Sequence, residues 1–273
     1  MNKQNSAIGL FDSGIGGLSV LKQFLRYLPG ENYIYLGDTA RVPYGNRSPE
    51  TVIEYSKQCI NFLVNQDVKL IVIACNTASA TALDTVKQMT DVPIIGMINP
   101  AAQSAILTTQ NNRIGVIGTR ATINSKAYQN EIVKLAGRQD IEVFAKSCPL
   151  FVPLVEEGMI LHEVTRMIAE EYLGEFKAHN IDTLVLGCTH YPLLKQLITE
   201  ILPTVELIDP GELAAIKVIR SLAVANLLKD DTNLVLDHPT VKFFSTDVSE
   251  TFPTTAEYFL GFPVGKPQKV DLE

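Results

Sequence analysis

Four cysteines are the residues of this 273-residue chain best suited to nucleophilic, metal-binding or acid–base chemistry: Cys59, Cys75, Cys148 and Cys188. They lie far apart and none belongs to a CxxC pair, which argues against both a disulfide scaffold and a zinc knuckle. Cys75 and Cys188 are each followed by hydroxyl or amide residues whose side chains and backbone N–H groups can hold an anion. These two thiols are therefore the candidates for chemistry.

Cys75 and Cys188 occupy matching places in the sequence. The segment LIVIACNT from Leu70 resembles TLVLGCTH from Thr183, so each cysteine follows a predicted buried strand and precedes a helix. A helix N-terminus favours a thiolate over a thiol and brings a thiol pKa of about 8.5 towards neutrality. Two such thiols facing one cleft place an acid–base group on each face of a ligand, which is what inverting a carbon centre requires.

The other two cysteines are expected to be core residues. Cys59 lies on an apolar helical stripe with Val52, Tyr55 and Leu63. Cys148 precedes a proline and has no polar neighbours that suggest reactivity. A zinc site built from Cys75, Cys188 and His190 is an alternative, but one C-x-H spacing is weak evidence for a metal, and we predict none.

The elements that must position the thiols alternate between strands and helices. Short β-branched runs predict strands at 7–11, 33–36, 70–74, 113–118, 141–145 and 183–187. Apolar residues at helical spacing predict helices at 18–28, 52–64, 78–89, 160–176 and 193–202. This alternation indicates an α/β fold with mainly parallel sheets.

An internal repeat divides the chain into two related halves. IGLFDSG from Ile8 resembles IGVIGTR from Ile114, in addition to the two cysteine segments. We predict two pseudo-symmetric α/β domains, the first formed by 1–97 plus 208–265 and the second by 98–207, with a loose tail at 266–273. The returning segment should contain a helix at 212–228, a strand near 241–244 and a helix near 249–260.

Ligands of parallel sheets bind beyond the carboxyl ends of the strands, where loops lead into helices. That rule selects four places in this chain. They are Asp12-Ser13, Cys75-Asn76-Thr77, Gly118-Thr119 and Cys188-Thr189-His190.

The charge balance narrows the possible partners. With 23 Lys+Arg against 30 Asp+Glu, the net charge is −7, and no Lys/Arg-rich run is present. We therefore expect neither nucleic acid nor an anionic membrane as a partner. The uncharged stretch 92–112 is too polar to span a bilayer, and the unpaired thiols favour a reducing, cytoplasmic location.

Five motifs resemble those of bacterial glutamate racemases, within the cofactor-independent aspartate/glutamate racemase family. They are DSGIGG (12–17), GDTARVPYG (37–45), ACNTAS (74–79), PLFVPLVEEG (149–158) and GCTHYPLL (187–194). They occur in order over nearly the whole chain. The resemblance implies the fold of that family, no cofactor and a homodimer.

The same resemblance implies roles for individual residues. Cys75 and Cys188 would be the two catalytic acid–bases, one for each enantiomer, with Asp12 assisting Cys75 and with His190 and Glu156 assisting Cys188. The implied substrate contacts are Asp12, Ser13, Tyr44, Gly45, Asn76, Thr77, Thr119, Thr189 and His190.

The implied reaction interconverts L- and D-glutamate by proton transfer at the α-carbon and supplies D-glutamate for peptidoglycan. A racemase of aspartate or a related acid, using the same thiols, is the nearest alternative. A two-lobed protein that binds a dicarboxylate without turnover is another.

Overall fold

The computed structural model of the chain describes residues 3–137, 140–229 and 240–272. These residues form two parallel β-sheets, one of six strands and one of four, with helices packed against them. The predicted α/β class with parallel sheets is confirmed. The predicted domain boundaries remain a prediction.

The six-stranded sheet is built from both ends of the chain. Its strand order is β10-β9-β2-β1-β3-β4, and every neighbouring pair is parallel. The strands are β1 (Ile8–Asp12), β2 (Tyr33–Gly37), β3 (Leu70–Ile73), β4 (Ile94–Gly96), β9 (Val241–Ser245) and β10 (Gln268–Lys269).

The four-stranded sheet comes from the middle of the chain. Its order is β6-β5-β7-β8, again with parallel neighbours. The strands are β5 (Arg113–Gly118), β6 (Glu142–Ser147), β7 (Thr183–Gly187) and β8 (Glu206–Ile208). In each sheet the strand before a candidate thiol, β3 or β7, pairs directly with the sheet's β1 or β5.

Helices connect the strands. They are α1 (Leu18–Tyr27), α2 (Pro49–Asn65), α3 (Asn76–Thr81), α4 (Leu83–Val86), α5 (Ile98–Thr108), α6 (Arg120–Asn124), α7 (Ala127–Ala136), α8 (Phe151–Glu156), α9 (Glu163–Ala178), α10 (Lys195–Ile201), α11 (Pro210–Val224) and α12 (Phe252–Leu260), with 3₁₀ turns at Lys3–Asn5, Thr39–Arg41, Tyr44–Asn46 and Tyr191–Leu194. Across the described residues, no helix combines the length and the apolar character needed to cross a bilayer.

Burial in the apolar core explains why the strand sequences do not alternate between apolar and polar residues. All five residues of β1, β2 and β7 are buried, because helices cover both faces of a parallel sheet. One hydrophobic cluster contains residues of both sheets, among them Leu10 and Leu70 from the first and Ile117 and Leu184 from the second. The two sheets therefore share part of their core.

Two local predictions are wrong. The helix predicted at 78–89 is two short helices, α3 and α4, because the helix breaks at Ala82. The predicted loose tail carries β10, which pairs with β9, and its Val270 and Leu272 pack against the core. Residue 273 of that tail lies outside the described residues.

Candidate active site

A cavity of about 400 Å³ lies where the carboxyl ends of the two sheets meet. Residues from both halves of the chain surround it, including both candidate thiols. The lining consists of Ser13, Val42, Pro43, Tyr44, Gly45, Asn46, Cys75, Asn76, Thr77, Thr119, Arg120, Pro149, Leu150, Val152, Pro153, Glu156, Cys188, Thr189 and His190.

Cys75 follows β3 and caps the N-terminus of α3. Its sulfur accepts a hydrogen bond from the Ala78 N–H at 3.4 Å, and its S–H donates to Ser13 Oγ at 3.5 Å. Burial raises the pKa of the Cys75 thiol to about 12, and the negative charge of Asp12 adds to the effect. The sequence suggested a pKa brought towards neutrality, but in this buried position desolvation outweighs the helix N-terminus.

Cys188 follows β7 and has a different neighbour. Its sulfur lies 3.8 Å from His190 Nδ1, and His190 Nε2 lies 2.9 Å from Glu156 Oε1. Burial lowers the pKa of His190, but the hydrogen bonds with Cys188 and Glu156 outweigh it and raise that pKa to about 10. A protonated imidazole beside Cys188 stabilises negative charge on the sulfur.

Asp12 is the one predicted site residue that does not line the cavity. It ends β1, its Oδ2 accepts a hydrogen bond from the Gly14 N–H, and its Oδ1 has no partner among the described residues. Burial raises the pKa of its carboxyl group, although the positive charge of His190 acts in the opposite direction. Asp12 therefore acts on Cys75 by its charge, without lining the cavity itself.

Two glycines of the DSGIGG motif let this loop approach the site. A Cβ atom on Gly16 would lie 2.3 Å from His190 Cε1, and one on Gly17 would lie 2.5 Å from the Asp12 Cβ. Any side chain at either position would displace His190 or Asp12. Sequence reasoning treated these glycines only as part of a motif, and the glycine pair was the signal for this close packing.

Three hydroxyl groups join the two halves at the cavity. Thr77 at the start of α3 and Thr119, the N-cap of α6, lie 2.9 Å apart between their Oγ1 atoms, and Thr122 Oγ1 lies within 3.2 Å of both. Gly45 packs on Thr119, since an added Cβ would lie 2.8 Å from the Thr119 Cβ. Helix starts and hydroxyls together suit a carboxylate ligand.

Tyr44 lines the cavity, but its hydroxyl binds a residue outside the lining. The hydroxyl donates to Asp38, a buried carboxylate that also binds Arg41 Nε at 2.7 Å and accepts from Thr246. Arg41 is further engaged by Gln58, and it does not line the cavity. Among the described residues, the arginine that does line the cavity is Arg120, the first residue of α6, which sequence reasoning missed.

The other missed lining residues are mostly apolar. Val42 and Pro43 belong to the motif at 37–45, and Pro149, Leu150, Val152 and Pro153 belong to the motif at 149–158, so the motifs themselves were the signal. Cys59 and Cys148 are fully buried and lie outside the lining, which confirms them as core residues. Within the described ranges, no three His, Cys, Asp or Glu side chains cluster as metal ligands would.

Iodoacetamide at pH 8 should alkylate Cys188 first and Cys75 more slowly, because Cys188 faces a protonated His190 whereas the raised pKa keeps Cys75 a thiol. Cys59 and Cys148, which are fully buried, should stay unmodified. Peptide mapping by mass spectrometry over time measures the order. In denaturant all four should react alike, and a folded protein in which Cys75 reacts before Cys188 would contradict these charge assignments.

His190 should make the stability of the protein depend on pH. Its pKa is raised to about 10 in the folded chain, above the usual 6.5, so protonation favours the folded state. The stability advantage of the wild type over His190→Gln should be full below pH 6.5 and decline as the pH rises towards 10. Urea unfolding of both proteins measures it, and an advantage that does not change with pH would count against a charged His190.

The sequence of the chain is similar to those of known racemases. The family model described as Asp/Glu/Hydantoin racemase matches residues 8–218. The chain is 46% identical over 268 residues to a glutamate racemase of Geobacter metallireducens, covering 98% of this chain and 97% of that protein. Together these matches extend over both sheets and all of the cavity lining.

The fold of this chain is similar to those of several solved structures. The crystal structure of glutamate racemase from Francisella tularensis in complex with D-glutamate aligns with a TM-score of 0.91 at 40% identity and covers 99% of both chains. Aspartate racemase from Picrophilus torridus aligns at 18% identity with a TM-score of 0.56, covering 80% of this chain and 94% of that one, a likeness in fold alone. On the family match and the full-length identity, the chain belongs to the Asp/Glu/Hydantoin racemase family.

Proposed function

We propose that this protein interconverts L- and D-glutamate by moving a proton at the α-carbon between two thiols. The observation that carries the proposal is that Cys75 and Cys188, one from each sheet, line the same cavity. A carbon bound between them presents one face to each sulfur. The similarity to glutamate racemases along nearly the full chain supports glutamate as the substrate.

The lining is suited to a dicarboxylate. Asn76, Thr77 and Thr119 offer amide and hydroxyl donors close to the starts of α3 and α6, where backbone N–H groups favour anions. Thr189 adds a hydroxyl next to Cys188. Arg120 adds a positive charge at the cavity wall. The buried negative charge of Asp12, which precedes Ser13 in the chain, would favour a substrate ammonium group.

The two thiols have different charged neighbours. In the direction that begins at Cys188, its thiolate, beside protonated His190, takes the α-proton and becomes S–H, leaving a carbanion at the α-carbon. The Cys75 thiol then gives its proton to the opposite face and becomes a thiolate. In the reverse direction Cys75 is the base and Cys188 the acid, so each enantiomer uses one sulfur as its base.

The apolar part of the lining lowers the barrier to this step. Because an α-proton of an amino acid is only weakly acidic, the carbanion needs oriented donors and little competing water. Val42, Leu150 and Val152 supply the apolar part of the lining. We propose that the product D-glutamate serves peptidoglycan synthesis in the cytoplasm and that the protein is a homodimer.

Replacing either thiol should impair inversion of the α-carbon while leaving exchange of the α-proton in one enantiomer. In heavy water, Cys75→Ser and Cys188→Ser should each lower racemisation by about 10²-fold or more. Each variant should still exchange the α-proton of one enantiomer for deuterium, and the two variants should act on opposite enantiomers. Circular dichroism follows inversion and NMR follows deuterium at the α-carbon.

The same assay includes two control variants and distinguishes glutamate racemisation from the alternative functions. Cys59→Ala and Cys148→Ala remove buried thiols outside the lining and should leave the rate per folded molecule unchanged within about twofold. A folded wild type that neither racemises nor exchanges glutamate would overturn the proposal. Faster turnover of L- and D-aspartate would assign the site to aspartate, and binding of glutamate without exchange would indicate a binding protein.

A further inference from the structure

We propose that Tyr128 is a positioning residue that turns the Asn76 amide so that its N–H donors face the cavity. The inference rests on the proposed function, because it assigns those donors to a substrate carboxylate. Tyr128 lies on α7, on the side of the four-stranded sheet, whereas Asn76 begins α3 next to Cys75. One half of the chain thus orients a binding group that belongs to the other.

The contact between the two side chains is direct and buried. The Tyr128 hydroxyl donates to Asn76 Oδ1 at 2.6 Å. Tyr128 is fully buried and Asn76 is 4% exposed, yet Asn76 still lines the cavity. Among the described residues, none accepts a hydrogen bond from the Asn76 amide nitrogen, so its two protons are available to a ligand.

The direction of this hydrogen bond follows from the tyrosine. Burial raises the pKa of Tyr128 well above 10, and the negative charges of Asp209 and Cys188 act in the same direction, so the hydroxyl keeps its proton. A buried O–H needs an acceptor, and Asn76 Oδ1 is the one beside it. The reverse amide orientation would leave the Tyr128 proton without a partner.

The ring of Tyr128 is itself held in place. A Cβ on Gly187, the residue before Cys188, would lie 3.0 Å from Tyr128 Cε2, so the tyrosine packs directly on the end of β7. The same ring belongs to a core cluster with Ile132 and Val185. A fixed ring gives its hydroxyl a fixed position from which to orient the amide.

Losing the hydroxyl would release the amide. The terminal torsion of asparagine is broad and roughly two-fold, so without Tyr128 the amide oxygen and nitrogen would exchange places freely. An oxygen facing the cavity repels a carboxylate, while the N–H group binds it. Tyr128 therefore controls whether this part of the wall attracts an anion.

Tyr128→Phe removes only the hydroxyl. We expect the KM for both glutamate enantiomers to rise about tenfold, because one oriented donor is lost, while kcat stays within about twofold. Tyr33→Phe is the matched control: Tyr33 is buried, and its hydroxyl donates to the carbonyls of Phe24 and Leu28 away from the cavity. That variant should lose stability and keep its KM.

A double-mutant cycle separates positioning from a general structural effect. Asn76→Ala should raise KM by itself, and adding Tyr128→Phe to it should raise KM no further. Asn76→Asp keeps an acceptor for Tyr128 but has no N–H donors, so its KM should rise at least as much as in Asn76→Ala, and this tests the donors even if Tyr128→Phe folds poorly.

The outcomes distinguish the two proposals. An active wild type with an unchanged KM in Tyr128→Phe, or with full additivity in the cycle, would overturn the positioning role alone. An Asn76→Asp variant with wild-type KM would also overturn it, since the donors would then be unnecessary. A folded wild type without glutamate racemisation would instead overturn the proposed function.

Discussion

The contact between His190 Nε2 and Glu156 Oε1 keeps a positive charge inside a cavity whose other buried ionisable groups are acidic. Glu156 offsets the cost of burying the imidazolium, and Cys188 lies on the other side of the same ring. The charge on His190 also counteracts the burial of Asp12. Without this cation, no buried positive charge would lie beside Cys188 to favour its thiolate.

The charge on His190 makes the surroundings of Cys188 differ from those of Cys75, although the internal repeat gives the two cysteines similar places in the fold. Both thiols follow a strand that pairs with β1 or β5, and both precede a helical turn. Cys75 lies in the field of Asp12, and Cys188 lies beside His190. The two thiols therefore have different charged neighbours within one cavity, which a strictly symmetric pair would not have.

Sequence periodicity predicted much of this architecture for physical reasons. Strands buried on both faces have unbroken apolar sequences, and the rule for strand ends selected Ser13 and the segments that begin at Cys75 and Cys188, all of which line the cavity. Tyr44, Gly45 and Glu156 were identified only through the family resemblance. The raised pKa of Cys75 depends on desolvation, and the place of Asp12 outside the lining depends on tertiary packing. Local sequence encodes neither. The Tyr128–Asn76 contact joins residues 52 positions apart, and the pairing of β10 joins the tail to a distant strand, so neither has a local pattern.

The central claim is that the two sulfurs flank one carbon, and a crystal structure of this protein with D-glutamate bound tests it most directly. The account predicts that the α-carbon lies between Cys75 Sγ and Cys188 Sγ, on opposite faces and at near-attack distances of about 3.5 Å. A ligand with both sulfurs on the same face of the α-carbon, or with either sulfur out of reach of it, would contradict the account.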